Sequence, residues 1–365
     1  MRILMITRPI GEPWNEGGKN LAYNIARNIK NHKINLLVKH NFSNKLSKKF
    51  HLERIYSSSK KRRTNFSDKL RLFVRLISKD NLDCYHFIFT PELYSSLFSS
   101  VILKLKNKKS IQTIPTPIKD KKFIRPLIFA DRTVVLSDYT KNFLINKGFN
   151  NIIKINPGID TNFFKPGKRD LKLINKLNLK DKFVVLIPGE LEPKRGSRVI
   201  LKTLINLHNL EDIIFIFSYR KDNNKKHLKE KKFIKSALSK HKRNNFIFLE
   251  DFHNIKELIN ISDIIVYPTL DMNEKQEIPM ILLESLAMEK PIIITDIPPL
   301  NEILKSNCGI KIGKGDFYKL SQEILNLKNN KKRRLKIGKN GRKMVVKYFN
   351  IIKIAREYEK LYSSI

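Results

Sequence analysis

Eleven short apolar segments recur along this chain, most followed by a longer stretch with helical spacing, and no other feature constrains the fold as much. In order they are RILMI, INLLV, YHFIF, SIQTI, TVVL and IIKI, then FVVLIP, IIFIF, FIFL, IIVYP and PIIIT. Strands that alternate with helices need crossover connections rather than hairpins, which gives parallel sheets wound on both faces by helices. The series breaks at NPGIDTNFFKPGKRD, where Pro157, Gly158, Pro166 and Gly167 punctuate the chain and periodicity is lost. Two similar α/β halves follow from that break, and 365 residues suffice for each to bury its own core. Ligands on such sheets bind at the carboxyl ends of strands, so a cleft between two facing halves is expected.

Three stretches carry candidate chemistry. GEPWNEGGKNLAYNIARNI sets Gly17 and Gly18 before an amphipathic helix, where paired glycines admit a close backbone approach and the helix start favours a phosphate. A simple turn would use the same pair. FVVLIPGELEPKRGSRVILKTL repeats the theme with Gly189 at a strand end and Lys194, Arg195 and Gly196 before the next helix. Arg195 has the planar fork that matches phosphate oxygens, although a solvated loop charge is an equal reading of that segment alone. The third stretch, QEIPMILLE, places Gln276 and Glu277 at one end of an apolar run and Glu284 at the other. On one helix, positions seven or eight apart return to the same face.

The two loops, the linker NPGIDTNFFKP and the block QEIPMILLESLAMEKPIIITDIPPLNEIL together resemble, in order and spacing, glycosyltransferase family 4. The resemblance implies two facing Rossmann-like domains of the glycosyltransferase B type. Their bounds would be 1–165 on the acceptor side and 166–347 for the nucleotide sugar. The tail 348–365 is similar to the family's last helix, which returns to the first domain. In the family a Glu-x7-Glu motif spans the donor. Carried over, Glu284 contacts the ribose, and the helix start at Pro279, Met280 and Ile281 meets the diphosphate. Gly17, Gly18, Gly189, Lys194 and Arg195 complete the implied donor site.

This chain departs from the family pattern at three places. The first motif position holds Gln276, with the carboxylate one residue later at Glu277, so either is the candidate catalytic partner of the sugar. Glu277 also fits a plain helix N-terminal charge. Where the family carries an Arg followed five residues later by a Lys, this chain has Glu190 and Arg195, which leaves phosphate binding to Arg195 with Lys194 or Arg220. The family's His after the strand matching SIQTI is replaced by Ile114-Pro115-Thr116-Pro117, and His86 within YHFIF fits a satisfied core residue better than a substitute.

Transfer of this kind develops negative charge on the leaving diphosphate, so fixed donors and cations there carry most of the catalysis. No Asp-x-Asp occurs in the chain, and the resemblance implies a retaining hexosyl transfer with no metal and no cofactor, the nucleotide sugar being a substrate. Cys84 and Cys308 are the only cysteines, which points to a reducing, cytoplasmic setting. Lys and Arg number 73 against 34 Asp and Glu, a formal charge of +39, and this favours a polyanionic partner. No nucleic-acid module is recognisable, so the expected partners are an anionic membrane surface and a glycan or lipid-linked acceptor. KKRRTNFSDKLRLFVRLISKD joins Lys60, Lys61, Arg62 and Arg63 to a stripe of Phe66, Leu70, Phe73, Val74 and Ile77. That stripe fits a headgroup layer; an ordinary core-facing helix fits the stripe slightly better but the whole cationic cluster less well. Two rival functions are a sugar-nucleotide epimerase of the same fold and a catalytically weakened basic subunit that binds anionic lipid or nucleic acid.

Overall fold

The computed structural model describes residues 1–12, 14, 16–42, 50–58, 65–118, 124–207, 210–220, 225–305 and 307–365. The chain divides into two compact units. The first comprises Met1–Asp160, Asn273–Glu277 and Phe349–Ile365, and the second Thr161–Met272 and Ile278–Tyr348. The separation falls inside the Pro/Gly-punctuated segment, and a short piece of the late apolar block groups with the first unit.

The first unit holds strands β1 (Arg2–Ile10), β2 (Lys33–Lys39), β3 (Phe50–Tyr56), β4 (Cys84–Ile88), β5 (Lys109–Ile114), β6 (Arg132–Val135) and β7 (Ile152–Lys154). They form one sheet in the order β3-β2-β1-β4-β5-β6-β7, with every ladder parallel. The second unit holds β8 (Phe183–Gly189), β9 (Ile213–Tyr219), β10 (Phe246–Glu250), β11 (Ile264–Tyr267), β12 (Ile292–Thr295) and β13 (Ile310–Ile312). Their order is β10-β9-β8-β11-β12-β13, again wholly parallel. Each sheet reverses its strand order at its first strand, the arrangement of a Rossmann-like domain, and the crevice at such a reversal is where ligands bind.

Two strands, β3 and β13, have no apolar run of their own. Strand β3 lies at the sheet edge and carries His51, Glu53 and Arg54, because only one flank of an edge strand must be hidden. Strand β13 is three residues long. The central strands behave oppositely: all of β4, β11 and β12 is buried, as expected where helices cover both faces.

Helices α1 (Gly17–Asn28), α2 (Phe66–Ile77), α3 (Leu93–Lys106) and α4 (Asp138–Asn146) cover the first sheet. The second unit carries α5 (Leu171–Lys176), α6 (Ser197–Asn206), α7 (Lys225–Lys240), α8 (Ile255–Ile261), α9 (Met280–Ala287), α10 (Phe317–Asn329) and α11 (Lys331–Tyr348). Last comes α12 (Ile351–Ser363), whose Ile354, Tyr358 and Tyr362 share one core with Leu21 and Ile25 of α1 and Ile3 and Met5 of β1. The Glu359 carboxylate accepts the backbone N–H groups of Lys30 (2.5 Å) and Asn31 (2.7 Å), satisfying donors just past the end of α1.

His86 belongs to this core. Its Nδ1 lies 2.7 Å from the Tyr362 hydroxyl and its Nε2 2.7 Å from Thr113 Oγ1, while the Tyr358 hydroxyl reaches the same Thr113 oxygen at 3.2 Å. Burial pushes the imidazole down to about 3, so it stays neutral and ties α12 to β4 and β5. The histidine is a satisfied core residue.

The stripe on α2 does not face the core. Phe66 is 83% exposed, and Leu70, Phe73, Val74 and Ile77 range from 40% to 52%. Helix α3 adds Tyr94, Leu97, Val101 and Leu105, also exposed, and Phe73 stacks on Phe98 at 4.9 Å between ring centroids. Spacing locates an apolar face, but it cannot say whether that face is covered. The cationic cluster Lys60, Lys61, Arg62 and Arg63 lies outside the described residues. No helix among them is long and apolar enough to cross a membrane.

In the second unit α11 packs on α9 through two glycines. A Cβ at Gly338 would sit 2.1 Å from the Glu289 carbonyl oxygen, and one at Gly341 2.6 Å from Leu286 Cδ2. Glycine costs a helix interior about 1 kcal/mol relative to alanine, so close approach of the two helices must outweigh that cost. Gly338→Val is therefore expected to lose about 1–3 kcal/mol through overpacking against backbone that cannot rotate away. A urea midpoint equal to that of the unaltered protein would show that the helices do not depend on this approach.

Candidate active site

The sequence places Gln276, Glu277 and Glu284 in one stretch, and the structure divides them. Helix α9 begins only at Met280, with Pro279 as its N-cap, so Gln276 and Glu284 do not share a helix face. Gln276 and Glu277 belong to the first unit and Glu284 to the second.

In the first unit, the segment at Gln276 and Glu277 sits against the carboxyl ends of β5 and β6 and the start of α1. The Glu277 N–H donates to the Pro115 carbonyl at 2.9 Å, and its carboxylate accepts the Leu136 N–H at 3.0 Å. Glu277 is fully buried. It is therefore neither a helix-end charge nor an exposed acid but an anchor for its own segment. Beside it, Gln276 Oε1 lies so near the Gly17 Cα that a Cβ there would come within 2.0 Å of it. Gln276 Nε2 is buried and has no hydrogen-bond partner among the described residues. Gly18 faces the Pro115 ring, 3.9 Å from where a Cβ would stand. Thus Gly17, Gly18, Gln276 and Glu277 are brought together, with the Pro115 carbonyl and Leu136 N–H as partners that no side-chain pattern could reveal.

In the second unit the turn after β8 gathers charges of both signs. Gly189 has φ of +135°, a conformation that favours glycine, and Gly196 at +85° would bring a Cβ within 2.1 Å of the Pro268 oxygen. Between them Arg195 is 8% exposed. Its Nη1 donates to the Asp271 carbonyl (2.9 Å) and carboxylate (3.2 Å), and its Nε lies 3.7 Å from Glu190. Sequence reasoning took Arg195 as a cation facing a phosphate; the structure also seats it between two carboxylates. Lys194 remains more exposed, 3.5 Å from Glu192. Arg220 directly follows β9, whose Tyr219 is in register with Gly189, so it emerges one strand over from Glu190. Burial pushes the Tyr267 phenol up to about 12, with Arg195 and Arg220 opposing and Glu190 reinforcing, which places these groups in one cluster.

Glu284 stands on α9 between the fully buried Leu283 and Leu286. The residue keeps part of its surface, yet its carboxyl is densely surrounded, and no hydrogen bond or ion pair joins it among the described residues. Burial pushes the carboxyl up from 4.5 to about 7. Met280 and Ile281, in the first turn of α9, have N–H groups that cannot find an acceptor within the helix. A carboxyl held near neutrality beside such donors is chemically suited to a ligand that offers hydroxyls and phosphates together.

The chain is similar to known glycosyltransferases in part of its sequence and in its fold. Residues 170–344 match the model of the family described as glycosyl transferases group 1. The capsular polysaccharide biosynthesis glycosyltransferase CapM of Staphylococcus aureus is 27% identical over 130 residues; the match spans 33% of this chain and 33% of that relative. HepE of Anabaena, solved with UDP-glucose, superposes with a TM-score of 0.80 at 16% identity over the whole of both chains. A glycosyltransferase of Rickettsia africae gives 0.79 at 20% identity, covering 100% of this chain and 98% of that one. These structural likenesses establish the two-Rossmann-domain B-type fold.

The Glu284 carboxyl makes stability depend on pH in a definite direction. Its folded value lies above its unfolded one, so the folded state holds the extra proton between about 4.5 and 7 and loses stability as pH climbs through that window. The cost, on the order of 2–3 kcal/mol, is complete only above about 7. Glu284→Gln is expected to unfold at a higher temperature than the unaltered protein at pH 8 and to match it near pH 4.5. Equal melting temperatures at pH 8 would mean that the carboxyl is not desolvated.

Proposed function

We propose that the chain, whose residues 170–344 match the model of the glycosyl transferases group 1, moves a hexose from a nucleotide sugar to a glycan or lipid-linked acceptor with retention of configuration. The observation that carries this reading is the half-buried Glu284 carboxyl in the second turn of α9, in a Rossmann-like unit, with no partner among the described residues. Ribose hydroxyls would supply the donors that Glu284 lacks. The first turn of α9, from Pro279 through Ile281, and the Gly189 turn would receive the diphosphate.

In the reaction the bond between the anomeric carbon and the leaving diphosphate oxygen breaks, and the acceptor hydroxyl oxygen bonds to that carbon on the same face. The acceptor proton passes to the departing diphosphate. Negative charge thus grows at the phosphates, where Arg195, Lys194 and Arg220 can oppose it in place of a metal. The two carboxylates around Arg195 weaken its field at rest while fixing its direction. Gln276 takes the first motif position as a neutral partner of the sugar, because Glu277 is committed to the Leu136 N–H.

The donor half of this reading is checked by calorimetry and by transfer assays across nucleotide sugars in the presence of a chelator. Glu284→Ala is expected to weaken nucleotide binding by about 1.5–3 kcal/mol, as for a hydrogen bond to a charged group. Arg195→Ala is expected to lower turnover by roughly a hundredfold. Failure of every nucleotide sugar to bind, or strict dependence of transfer on a divalent ion, would refute the assignment.

The acceptor half places the first unit at an anionic membrane surface. Support comes from the +39 charge and from the exposed apolar faces of α2 and α3, flanked by the exposed Lys69, Arg71 and Lys104. A basic side chain near such a surface adds about 1 kcal/mol, and a buried Phe or Leu roughly 1.5–3 kcal/mol. Phe66→Ser with Leu70→Ser, and separately Lys61→Glu with Arg62→Glu and Arg63→Glu, are each expected to reduce co-sedimentation with anionic vesicles while sparing nucleotide binding. Equal sedimentation with neutral and anionic vesicles would rule the surface out.

A further inference from the structure

We propose that His227 and Glu230 of α7 are positioning residues, which hold the turn from Gly189 to Ser197 in the shape that presents Arg195 to a diphosphate. This rests on the reading above that the turn receives the donor's diphosphate, and it adds two residues from a helix outside the turn.

The chain that follows β11 holds one part of the turn. The Leu270 N–H donates to the Lys194 carbonyl at 2.9 Å, and Asp271 takes the Arg195 guanidinium. Helix α7 supplies further contacts, to Leu191, Glu192 and Ser197. His227 is 4% exposed, and its Nδ1 lies 3.1 Å from the Leu191 carbonyl oxygen. A carbonyl only accepts, so Nδ1 carries a proton and donates it to this bond. Leu191 is itself buried, and a buried carbonyl needs such a partner. The other ring nitrogen, Nε2, stands 3.7 Å from the Glu192 carboxylate. The Glu192 carbonyl in turn accepts the Arg195 N–H at 2.9 Å, so what fixes Leu191 and Glu192 also fixes the backbone of Arg195. Three residues on, on the same face of α7, Glu230 Oε1 accepts the Ser197 hydroxyl at 2.6 Å and lies 3.5 Å from Arg198 Nε. Gly196, the N-cap of α6, makes no side-chain cap, so Glu230 brings negative charge to that helix start from a separate element.

Packing alone does not account for these two residues. Farther along α7, Ile234 and Leu238 are fully buried in the core of the second unit. Positions 227, 230, 234 and 238 recur at helical spacing, so apolar side chains at 227 and 230 would simply continue that stripe. Burying an imidazole and a carboxylate there costs free energy that leucine would not. A catalytic group misplaced by about 1 Å can lose a hundredfold in rate, so a firmly held Arg195 offsets that cost.

Two amides of similar polarity separate position from packing. The Asn amide nitrogen stands as far along its side chain as His Nδ1, and the Gln nitrogen one atom farther. Hydrogen exchange of the backbone amides of 190–197, followed in the full chain, reads the turn without any donor. It is expected to quicken by roughly tenfold in His227→Gln and in Glu230→Leu, with β8 and β11 unchanged, and to stay near the unaltered rate in His227→Asn and Glu230→Gln. Donor hydrolysis is followed in parallel with UDP-glucose, UDP-N-acetylglucosamine and GDP-mannose. The two loosened variants are expected to lose roughly tenfold or more in kcat while KM changes by less than about threefold, and the two conservative variants to keep most of the turnover. Each contact has its own pair of variants, so the comparison does not depend on one of them folding. Exchange that rises equally in the Asn and Gln variants, or that rises across β8 and β11 as well, marks a packing role and overturns the proposal. A loosened turn with kcat unchanged overturns it too. If calorimetry shows that the unaltered protein binds none of the three donors while exchange behaves as expected, the transferase reading fails and the hold on the turn stands. If donors turn over and exchange in the turn does not respond to any variant, only the positioning role fails.

Discussion

Parallel pairing is the constraint on which the rest of this molecule depends. A parallel strand cannot return to its neighbour without crossing the sheet, so every strand brings a covering element, and every strand ends on the same side of its sheet. That one-sidedness collects Gly17, Pro115 and Leu136 at one edge of the first unit, and Gly189, Arg220 and Tyr267 at one edge of the second. Chemistry is concentrated there because only the loops beyond the strand ends are free of the ladder.

Charge is handled differently in the two units. Near β8 the cation Arg195 is set between Asp271 and Glu190, so its position is fixed by carboxylates of its own unit. Near β1 two lysines are buried together and spend donors on backbone carbonyls. A guanidinium among acids is a prepared but moderated field.

Buried polar groups do the positional work. Glu277 holds its segment through one backbone N–H, Glu359 caps two N–H groups past α1, and His86 joins two strands to the last helix without ever ionising. Glu284 differs: burial pushes its carboxyl up to about 7, and no hydrogen bond or ion pair joins it among the described residues.

The sequence by itself determined the two parallel sheets, because continuous Ile- and Val-rich runs alternating with helical stretches admit few other arrangements. It also determined that glycines stand at the turns after β1 and β8, and that Glu284 lies among buried leucines. It missed β3 and β13, since an edge strand need not be apolar and three residues carry no pattern. Only the tertiary structure decided that the α2 stripe is uncovered, because periodicity marks a face and not its neighbour. It alone decided that Gln276 and Glu284 belong to different units, one against the start of α1 in the first and the other on α9 in the second. Backbone partners such as the Pro115 carbonyl and Leu136 N–H have no signature in residue identity. Nor could spacing show that Lys19 and Lys39, twenty positions apart, donate to the neighbouring carbonyls of Gly11 and Glu12, since that proximity arises from α1 packing on β1 and β1 pairing with β2.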